Sequence, residues 1–233
     1  MQKIEINKLN ELDYYSSEAY KSLRTNVTFC GEDIKVITLT SCTPNEGKSS
    51  ISFRLAHSMT EDGKRVLFVD ADIRKSIFMG RYKITAKNVK GLSHYLSGQN
   101  KLDEVICETN IANLDIVLTG PVPPNPSELL GGKYFKEMLQ NKREEYDYII
   151  IDTPPLGSVI DSAIVARQCD GVILVVAADE VSHKFALKVK EQLDTAGCKI
   201  LGAVLNKVKL KGKGKYYGKY YGKYYGHYYR HEE

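Results

Sequence analysis

The sequence predicts an α/β protein with a doubly wound, mainly parallel sheet, followed by a disordered C-terminal tail. Three observations lead to this prediction: apolar runs of strand length recur, helix-compatible stretches separate them, and the C-terminus is low in complexity. Most of the apolar runs are continuous rather than alternating, as in strands that are covered on both faces. Strands of this kind alternating with helices are typical of parallel sheets with helices on both sides.

Each element is predicted from its own stretch of sequence. Strands are predicted at 35–41, 65–70, 114–120, 146–152, 171–178 and 199–206, and helices at 48–62, 133–145, 159–169 and 183–196. The four prolines of 120–132 indicate a long ordered loop that runs into a helix. A further helix is predicted at 14–30, with Ala19, Leu23 and Val27 along one stripe.

The C-terminal tail differs from the rest of the chain in charge and composition. The net charge is +4, but the chain from Lys207 onward has eight basic and two acidic residues, and the preceding 206 residues have a net charge of −2. The tail also has eight of the sixteen tyrosines, in four Tyr-Tyr pairs: Tyr216, Tyr217, Tyr220, Tyr221, Tyr224, Tyr225, Tyr228 and Tyr229. Such a segment lacks the aliphatic residues of a core. We therefore divide the chain into a folded domain, 1–207, and a tail, 208–233.

Composition excludes several classes of protein. Five cysteines, without a Cys-x-x-Cys pair, favour reduced thiols over a disulfide framework or a metal site. No apolar run approaches the roughly 18–20 residues that span a bilayer, and no signal peptide is recognisable. We expect a soluble, intracellular protein that meets a membrane only through a partner or through its tail.

The segment "SCTPNEGKSS" (41–50) predicts a phosphate-binding loop, because it follows an apolar strand and precedes a helix. Backbone N–H groups at the start of the helix would surround the phosphates, Lys48 would reach the β and γ oxygens, and Ser49 would bind Mg²⁺. The first glycine of the usual pattern is absent. The predicted nucleotide-binding residues are Thr43, Pro44, Asn45, Glu46, Gly47, Lys48, Ser49, Ser50 and Asn206.

Three carboxylates follow predicted strands: Asp70 and Asp72 in "VLFVDAD", and Asp152 in "YIIIDTPP". The carboxyl ends of parallel strands face the crevice in which such sheets bind ligands. Together with the phosphate loop, they predict a site for ATP or GTP with Mg²⁺. Asn206 ends the last strand, where its amide either reads an adenine edge or only terminates the strand.

These motifs together resemble the bacterial protein-tyrosine kinases (BY-kinases) of capsule and exopolysaccharide synthesis, of the CpsD or CapB type. The resemblance covers nearly the whole chain. It includes "EAYKSLRTN", the Walker A-like loop, the Walker A′-like "VLFVDADIRKS", "GPVPPNPSELL", the Walker B-like "IIIDTPP" and the tyrosine-rich end. It implies a P-loop NTPase fold of the deviant Walker (MinD/ParA-like) type. Since no membrane span precedes the kinase motifs, the chain is similar to the two-protein form of Gram-positive bacteria.

The resemblance implies a cytoplasmic, ATP-dependent, non-specific protein-tyrosine kinase that phosphorylates its own tail tyrosines and regulates polysaccharide synthesis and export. Lys48 would neutralise phosphate charge, Asp70 would be the base, and Ser49, Asp72 and Asp152 would hold Mg²⁺. The roles of Asp70 and Asp72 could be exchanged.

The resemblance also implies partners: a membrane-embedded co-polymerase whose cytoplasmic segment activates the kinase and recruits it to the membrane, and a protein-tyrosine phosphatase. It further implies a homo-oligomeric ring in which Glu18, Lys21 and Arg24 of the helix at 14–30 contact a neighbouring subunit. Lys21 stands where the family has arginine, which weakens the expected contact. The residues alone also allow a solvated face with an ion pair.

The alternative is an ATPase of the partition or division-site type, with a basic aromatic tail that binds nucleic acid or another polyanion. Those ATPases have a lysine five positions before the Gly-Lys lysine, and this chain has Thr43 there. We therefore expect no nucleic acid partner.

Overall fold

The computed structural model describes residues 2–86 and 88–209, and these residues form an eight-stranded sheet with helices on both faces. The strands are β1 Gln2–Lys3, β2 Val36–Ser41, β3 Val66–Asp70, β4 Ile106–Glu108, β5 Leu114–Val117, β6 Tyr148–Asp152, β7 Gly171–Ala177 and β8 Ile200–Asn206. The helices are α1 Tyr14–Thr28, α2 Lys48–Glu61, α3 Phe78–Arg81, α4 Leu92–Leu96, α5 Leu102–Val105, α6 Pro126–Gly131, α7 Lys133–Lys142, α8 Asp161–Ala166 and α9 His183–Thr195.

The sheet is mainly parallel, as predicted, in the order β1-β4-β5-β3-β6-β2-β7-β8. Among the eight strands of the described residues, only β4 and β5 pair antiparallel. Strand β2 lies between β6 and β7, so the loop after β2 emerges near the middle of the carboxyl edge. That position is where an open parallel sheet binds its ligand.

All six predicted strands are confirmed, although β5 ends at Val117 rather than near residue 120. The sequence did not predict β1 and β4, which have two and three residues and are too short for a periodic pattern. The predicted loop at 120–132 does run into a helix, α6, which begins at Pro126.

An aromatic cluster fixes α2 against the sheet on one face. The rings of Phe53 in α2 and Phe68 in β3 meet edge-on at 5.6 Å, and Phe78 stacks on Phe68 at 4.8 Å. All three side chains are buried. Because α2 begins at Lys48 and β3 ends at Asp70, this packing sets the distance between two parts of the predicted site.

The helix predicted at 14–30 is α1, but its core-facing stripe differs from the prediction. Leu23 and Val27 pack against the core as expected, whereas Ala19 is exposed and Tyr20 takes its place. Tyr20, Leu23 and Val27 follow the i, i+3, i+7 spacing of one helix face. Of the predicted stripe of Ala19, Leu23 and Val27, the last two residues therefore contact the core and Ala19 does not.

The tail beyond residue 209, with all eight predicted acceptor tyrosines, lies outside the described residues. All five cysteines are described and are free thiols, as expected. Within residues 2–86 and 88–209, no helix combines the length and apolar character needed to cross a bilayer.

Candidate active site

The segment between β2 and α2 forms a tight loop whose last residue is Gly47. Gly47 has φ +88°, in the left-handed region, and a Cβ atom built on it would lie 2.2 Å from Nδ2 of Asn206. Both facts require glycine at this position. Helix α2 then starts at Lys48, so its free N–H groups point towards the carboxyl edge, as a phosphate site needs.

The Glu46 side chain braces this loop from inside. Its buried carboxylate accepts hydrogen bonds from the backbone N–H and the hydroxyl of Thr43, and from the backbone N–H of Ala177 at 2.8 Å. The loop is thereby tied to the end of β7. Sequence reasoning expected Glu46 to contribute its backbone to phosphate binding and did not foresee this role of its side chain.

Asn206 ties the same loop to the end of β8. Its Nδ2 atom donates a 2.8 Å hydrogen bond to the backbone oxygen of Glu46. The next residue, Lys207, has φ +56° and forms an ion pair with Glu180 at 2.8 Å. Asn206 thus supports the loop from behind, and adenine recognition by Asn206 stays a prediction.

Lys48 and Asp152 form a buried ion pair in which Nζ and Oδ1 are 2.7 Å apart. The Ser52 hydroxyl donates to the same carboxylate oxygen at 2.8 Å, and Lys48 Nζ also lies 3.2 Å from the Ser49 hydroxyl. Ser52 was not predicted, but it follows Lys48 by one helical turn, which is the spacing that could have indicated it. The predicted phosphate-binding lysine is therefore held by the Walker B-like carboxylate.

Asp70 stands beside this pair. It is the register partner of Asp152 across β3 and β6, and its other neighbour, Ser76, donates a hydroxyl hydrogen bond to it. Burial, and then the Asp152 charge, raise the pKa of the Asp70 carboxyl to about 8. A carboxyl group with a pKa this high is a stronger base than an ordinary aspartate.

Asp72 lies nearer the solvent than Asp70. It accepts a hydrogen bond from the backbone N–H of Lys75 at 3.1 Å, and burial raises its pKa. Of the three predicted carboxylates, Asp72 alone lines the cavity in front of the loop. Within the described parts of the chain, no group of three or more His, Cys, Asp or Glu residues is arranged to hold a metal ion.

The cavity in front of the loop has a volume of about 380 Å³ and a basic rim. Arg74, Lys75 and Arg81 line it together with Lys48, and Arg81 donates a hydrogen bond to the Ser50 hydroxyl. These three cations were not predicted. Of the predicted nucleotide-binding residues, Thr43, Ser50 and Asn206 are not part of the cavity lining, and six line it: Pro44, Asn45, Glu46, Gly47, Lys48 and Ser49.

Arg74 is held by a network on the side of the cavity. Its guanidinium makes two hydrogen bonds to buried Asp161, at 2.6 and 2.9 Å, and a third to Ser127 at 2.9 Å. Burial alone would raise the pKa of Asp161, but the hydrogen bonds from Arg74 and Ser127 outweigh it and lower that pKa. The network fixes the start of α8 and α6 relative to the end of β3.

The predicted assembly face on α1 divides into two parts. Glu18 and Lys21 form an exposed ion pair of 2.7 Å, which agrees with the solvated alternative. Arg24 instead turns onto its own subunit, where it donates to the backbone oxygen of Ser58 at 2.6 Å and lies 3.5 Å from Asp62. Contact of this face with a neighbouring subunit stays a prediction.

The fold and the loop define a class: a P-loop nucleotide-binding protein with three strand-end carboxylates. The family model that matches residues 34–196 is described as an AAA domain. The chain is 45% identical over 193 residues to tyrosine-protein kinase CpsD of Streptococcus agalactiae serotype III (strain NEM316), covering 83% of each chain. It is 38% identical to tyrosine-protein kinase YwqD of Bacillus subtilis (strain 168), covering 84% of this chain and 82% of that one.

Solved structures agree with this result. The kinase domain of Escherichia coli tyrosine kinase ETK superposes with a TM-score of 0.80 at 35% identity, covering 86% of this chain and 78% of that one. The septum site-determining protein MinD of Pyrococcus horikoshii OT3 superposes with a TM-score of 0.62 at 25% identity, over 78% and 72% of the two chains. The chain belongs to the family of bacterial tyrosine-protein kinases. The predicted kinase identity is confirmed, and the MinD/ParA-like fold class is confirmed with it.

Proposed function

We propose that this kinase transfers the γ-phosphoryl group of ATP to the tyrosines of its own tail, Tyr216 to Tyr229, and so regulates the synthesis and export of capsular or extracellular polysaccharide. The observation that supports this most strongly is the arrangement of Lys48, Asp152 and Asp70 beside the phosphate loop. Phosphoryl transfer needs a cation and a carboxylate base close to the phosphates, and this arrangement supports those two roles for Lys48 and Asp70.

The loop is already shaped for a polyphosphate. Gly47 and the start of α2 present backbone N–H groups, and the braces from Glu46 and Asn206 hold them in position. When ATP enters, the Lys48 ammonium leaves the Asp152 carboxylate and binds the β and γ oxygens of the nucleotide. The basic rim of Arg74, Lys75 and Arg81 adds positive charge along the path of the nucleotide.

Mg²⁺ fits the remaining oxygen groups. Magnesium prefers oxygen ligands and is usually held by one or two carboxylates together with substrate phosphates. The Ser49 hydroxyl and the carboxylates of Asp72 and Asp152 would hold it, and the Asp152 oxygen already binds a cation, Lys48, in the free protein. Mg²⁺ bound there would neutralise charge that develops on the transferred group.

Asp70 is the proposed base for the tyrosine hydroxyl. A tyrosine has a pKa of about 10, so it needs a proton acceptor as it attacks. The pKa of Asp70, raised to about 8, brings it closer to that of its proton donor. The reverse assignment makes Asp72 the base, because Asp72 lines the cavity whereas Asp70 is buried. Comparing Asp70→Asn with Asp72→Asn distinguishes the two assignments. The base variant loses turnover at unchanged Mg-ATP affinity.

Recruitment to the membrane is assigned to a membrane-embedded co-polymerase whose cytoplasmic segment activates the kinase, and removal of the phosphates to a protein-tyrosine phosphatase. In the proposed ring of identical subunits, the exposed Glu18–Lys21 pair on α1 would face the neighbouring subunit.

A mixing experiment tests the proposal. An inactive Lys48→Met copy with an intact tail is combined with an active copy whose eight tail tyrosines are Phe, and intact mass is measured after incubation with Mg-ATP. Phosphates on the inactive copy show transfer between chains, and phosphates on the parent protein alone show transfer within a chain. A parent protein that hydrolyses ATP but gains no phosphate on Tyr216 to Tyr229 contradicts the proposal.

A further inference from the structure

A second pair of adjacent tyrosines, Tyr14 and Tyr15, lies at the start of α1. Their side chains are 74% and 60% exposed, and their rings contact each other edge-on at 5.8 Å. Within the described parts of the chain, neither hydroxyl makes a hydrogen bond. The pair therefore resembles the Tyr-Tyr units of the tail in sequence, but it stands on a folded element.

The other tyrosines of the described residues are less accessible. Tyr82, Tyr95 and Tyr146 are buried, and Tyr20 and Tyr148 are partly buried and pack against the core. Tyr134 is 36% exposed, but its ring is covered by Lys133 on one side and meets the Tyr95 ring on the other. Among the tyrosines that the structure describes, only the pair on α1 offers hydroxyl groups that another active site could reach without unfolding the core.

The sequence around this pair suits the cleft. Glu11 and Asp13 precede the two tyrosines and Glu18 follows, so the segment is acidic where the tail is basic. The rim of the cavity has three cations, Arg74, Lys75 and Arg81. Residues 6–13 form no regular element, so only the first turn of α1 has to open for a hydroxyl to enter a neighbouring cleft.

We propose that Tyr14 and Tyr15 are a second phosphorylation site of this kinase, modified by a neighbouring copy. The inference rests on the proposed kinase activity. The tyrosine oxygen attacks the γ-phosphorus of ATP, the bond from that phosphorus to the bridging oxygen of ADP breaks, and the phenolic proton passes to the carboxylate base. The products are phosphotyrosine on α1 and ADP.

The phosphate would act on the Glu18–Lys21 pair. Tyr14, Glu18 and Lys21 follow the i, i+4, i+7 spacing of one helix face. The pKa of Lys21 is raised mainly by its hydrogen bond and ion pair with Glu18, with a smaller contribution from Tyr14. A phosphate of about −1.5 to −2 charges on Tyr14 competes with Glu18 for Lys21, and it is itself stabilised at a helix N-terminus.

The test uses a full-length chain whose eight tail tyrosines are Phe, so that any phosphate must lie elsewhere. After incubation with Mg-ATP, we expect a mass gain of one or two phosphates, located in the tryptic peptide Leu9–Lys21. Tyr14→Phe with Tyr15→Phe should abolish the gain. Tyr20→Phe, which alters the third tyrosine of the same peptide, should leave it unchanged.

The parent protein, run in parallel, separates the two proposals. If its tail is phosphorylated while Tyr14 and Tyr15 stay unmodified in both proteins, the second site is refuted and the proposed function stands. The same conclusion follows if the phosphate is found on Tyr20 or elsewhere. If the parent gains no phosphate at all, both proposals are wrong.

Discussion

Asp70 and Asp152, the last residues of β3 and β6, are register partners, so two carboxyl groups meet at the floor of the cleft. Asp152 has Lys48 as its counter-ion at 2.7 Å, while Asp70 has a hydroxyl donor, Ser76. The two carboxylates therefore have different environments. Asp152 has a cationic partner, whereas burial and the Asp152 charge raise the pKa of the Asp70 carboxyl.

Stability should depend on the protonation of Asp70. Its pKa is raised from 3.8 to about 8 on folding. Folding therefore favours the protonated carboxyl. Its contribution to the free energy of unfolding is complete below the pKa of the unfolded chain and is lost as pH rises through the pKa of the folded protein. At pH 8.5 we expect Asp70→Asn to unfold at a higher temperature than the parent. In a protein of this size, each kcal/mol added to the free energy of unfolding raises the unfolding temperature by about 2–4 °C. The two proteins should differ much less at pH 4. The control is Asp179→Asn, at an exposed residue, and calorimetry that shows the same difference at both pH values contradicts the assignment.

Lys48→Met should cost stability as well as activity. The substitution leaves the buried Asp152 carboxylate with hydroxyl partners only, at a cost of about 3 kcal/mol in the ligand-free protein. The double variant Lys48→Met/Asp152→Asn should recover most of this loss while staying inactive. Lys190→Met breaks an exposed pair with Asp194 and should change the free energy of unfolding by less than about 1 kcal/mol. Urea unfolding measures all three, and equal losses for Lys48→Met and Lys190→Met would refute the buried pair.

Glu46→Ala should weaken nucleotide binding through the shape of the loop. It removes the acceptor for Thr43 and Ala177, and an unpaired buried N–H group costs about 1–3 kcal/mol. If about 1.4 kcal/mol of this loss is expressed in binding, ATP affinity falls about tenfold. Titration calorimetry measures the affinity, and hydrogen exchange at the Ala177 amide reports the broken brace. Glu61→Ala, an exposed glutamate on α2, is the matched control and should bind ATP as the parent does.

Gly47→Ala should disrupt the site for two separable reasons. The added Cβ would meet Asn206 at 2.2 Å, and the φ of +88° is unfavourable for alanine. The double variant Gly47→Ala/Asn206→Ala removes the first problem and leaves the second, so it should bind ATP better than Gly47→Ala and worse than Asn206→Ala. No improvement in the double variant would mean that the clash with Asn206 is unimportant.

Assembly should respond to the exposed pair on α1 rather than to Arg24 alone. Arg24→Ala removes bonds to Ser58 and Asp62 within the subunit, so it should lower stability. Lys21→Glu leaves the packing of the subunit unchanged and reverses one charge of the face. We expect a smaller average mass in light scattering with an unaltered unfolding midpoint. An unchanged mass would mean that Glu18 and Lys21 form a solvated ion pair and contact no neighbouring subunit.

Much of the fold could be predicted from the sequence because the strands around the site are fully buried. Runs such as 65–70 and 146–152 have continuous apolar residues and end in carboxylates. Both the strands and the edge of the sheet at which their carboxylates lie were therefore predicted. The β4–β5 pairing was not, because three residues of β4 show no periodicity and their direction depends on a distant strand.

The sequence predicted the residues proposed to bind the nucleotide and Mg²⁺. It did not predict the side chains that hold those residues in position. Lys48, Asp70 and Asp152 follow motifs that chemistry requires, and the structure brings them together. The brace from Glu46 to Ala177 and the bond from Arg74 to Asp161 join residues far apart in sequence. A single sequence contains no signal for such contacts, since any buried acceptor near a free N–H group would serve.

The anchoring of Lys207 to Glu180, next to Asn206, fixes the origin of the tail at the same edge of the sheet as the cleft. From that origin a fully extended chain reaches at most about 30 Å to Tyr216, nine residues on, and about 75 Å to Tyr229, 22 residues on. In the proposed function, the four Tyr-Tyr pairs are thus acceptors at four different tether lengths. Short tethers concentrate an acceptor around its own cleft, and long ones extend to the cleft of an adjacent subunit.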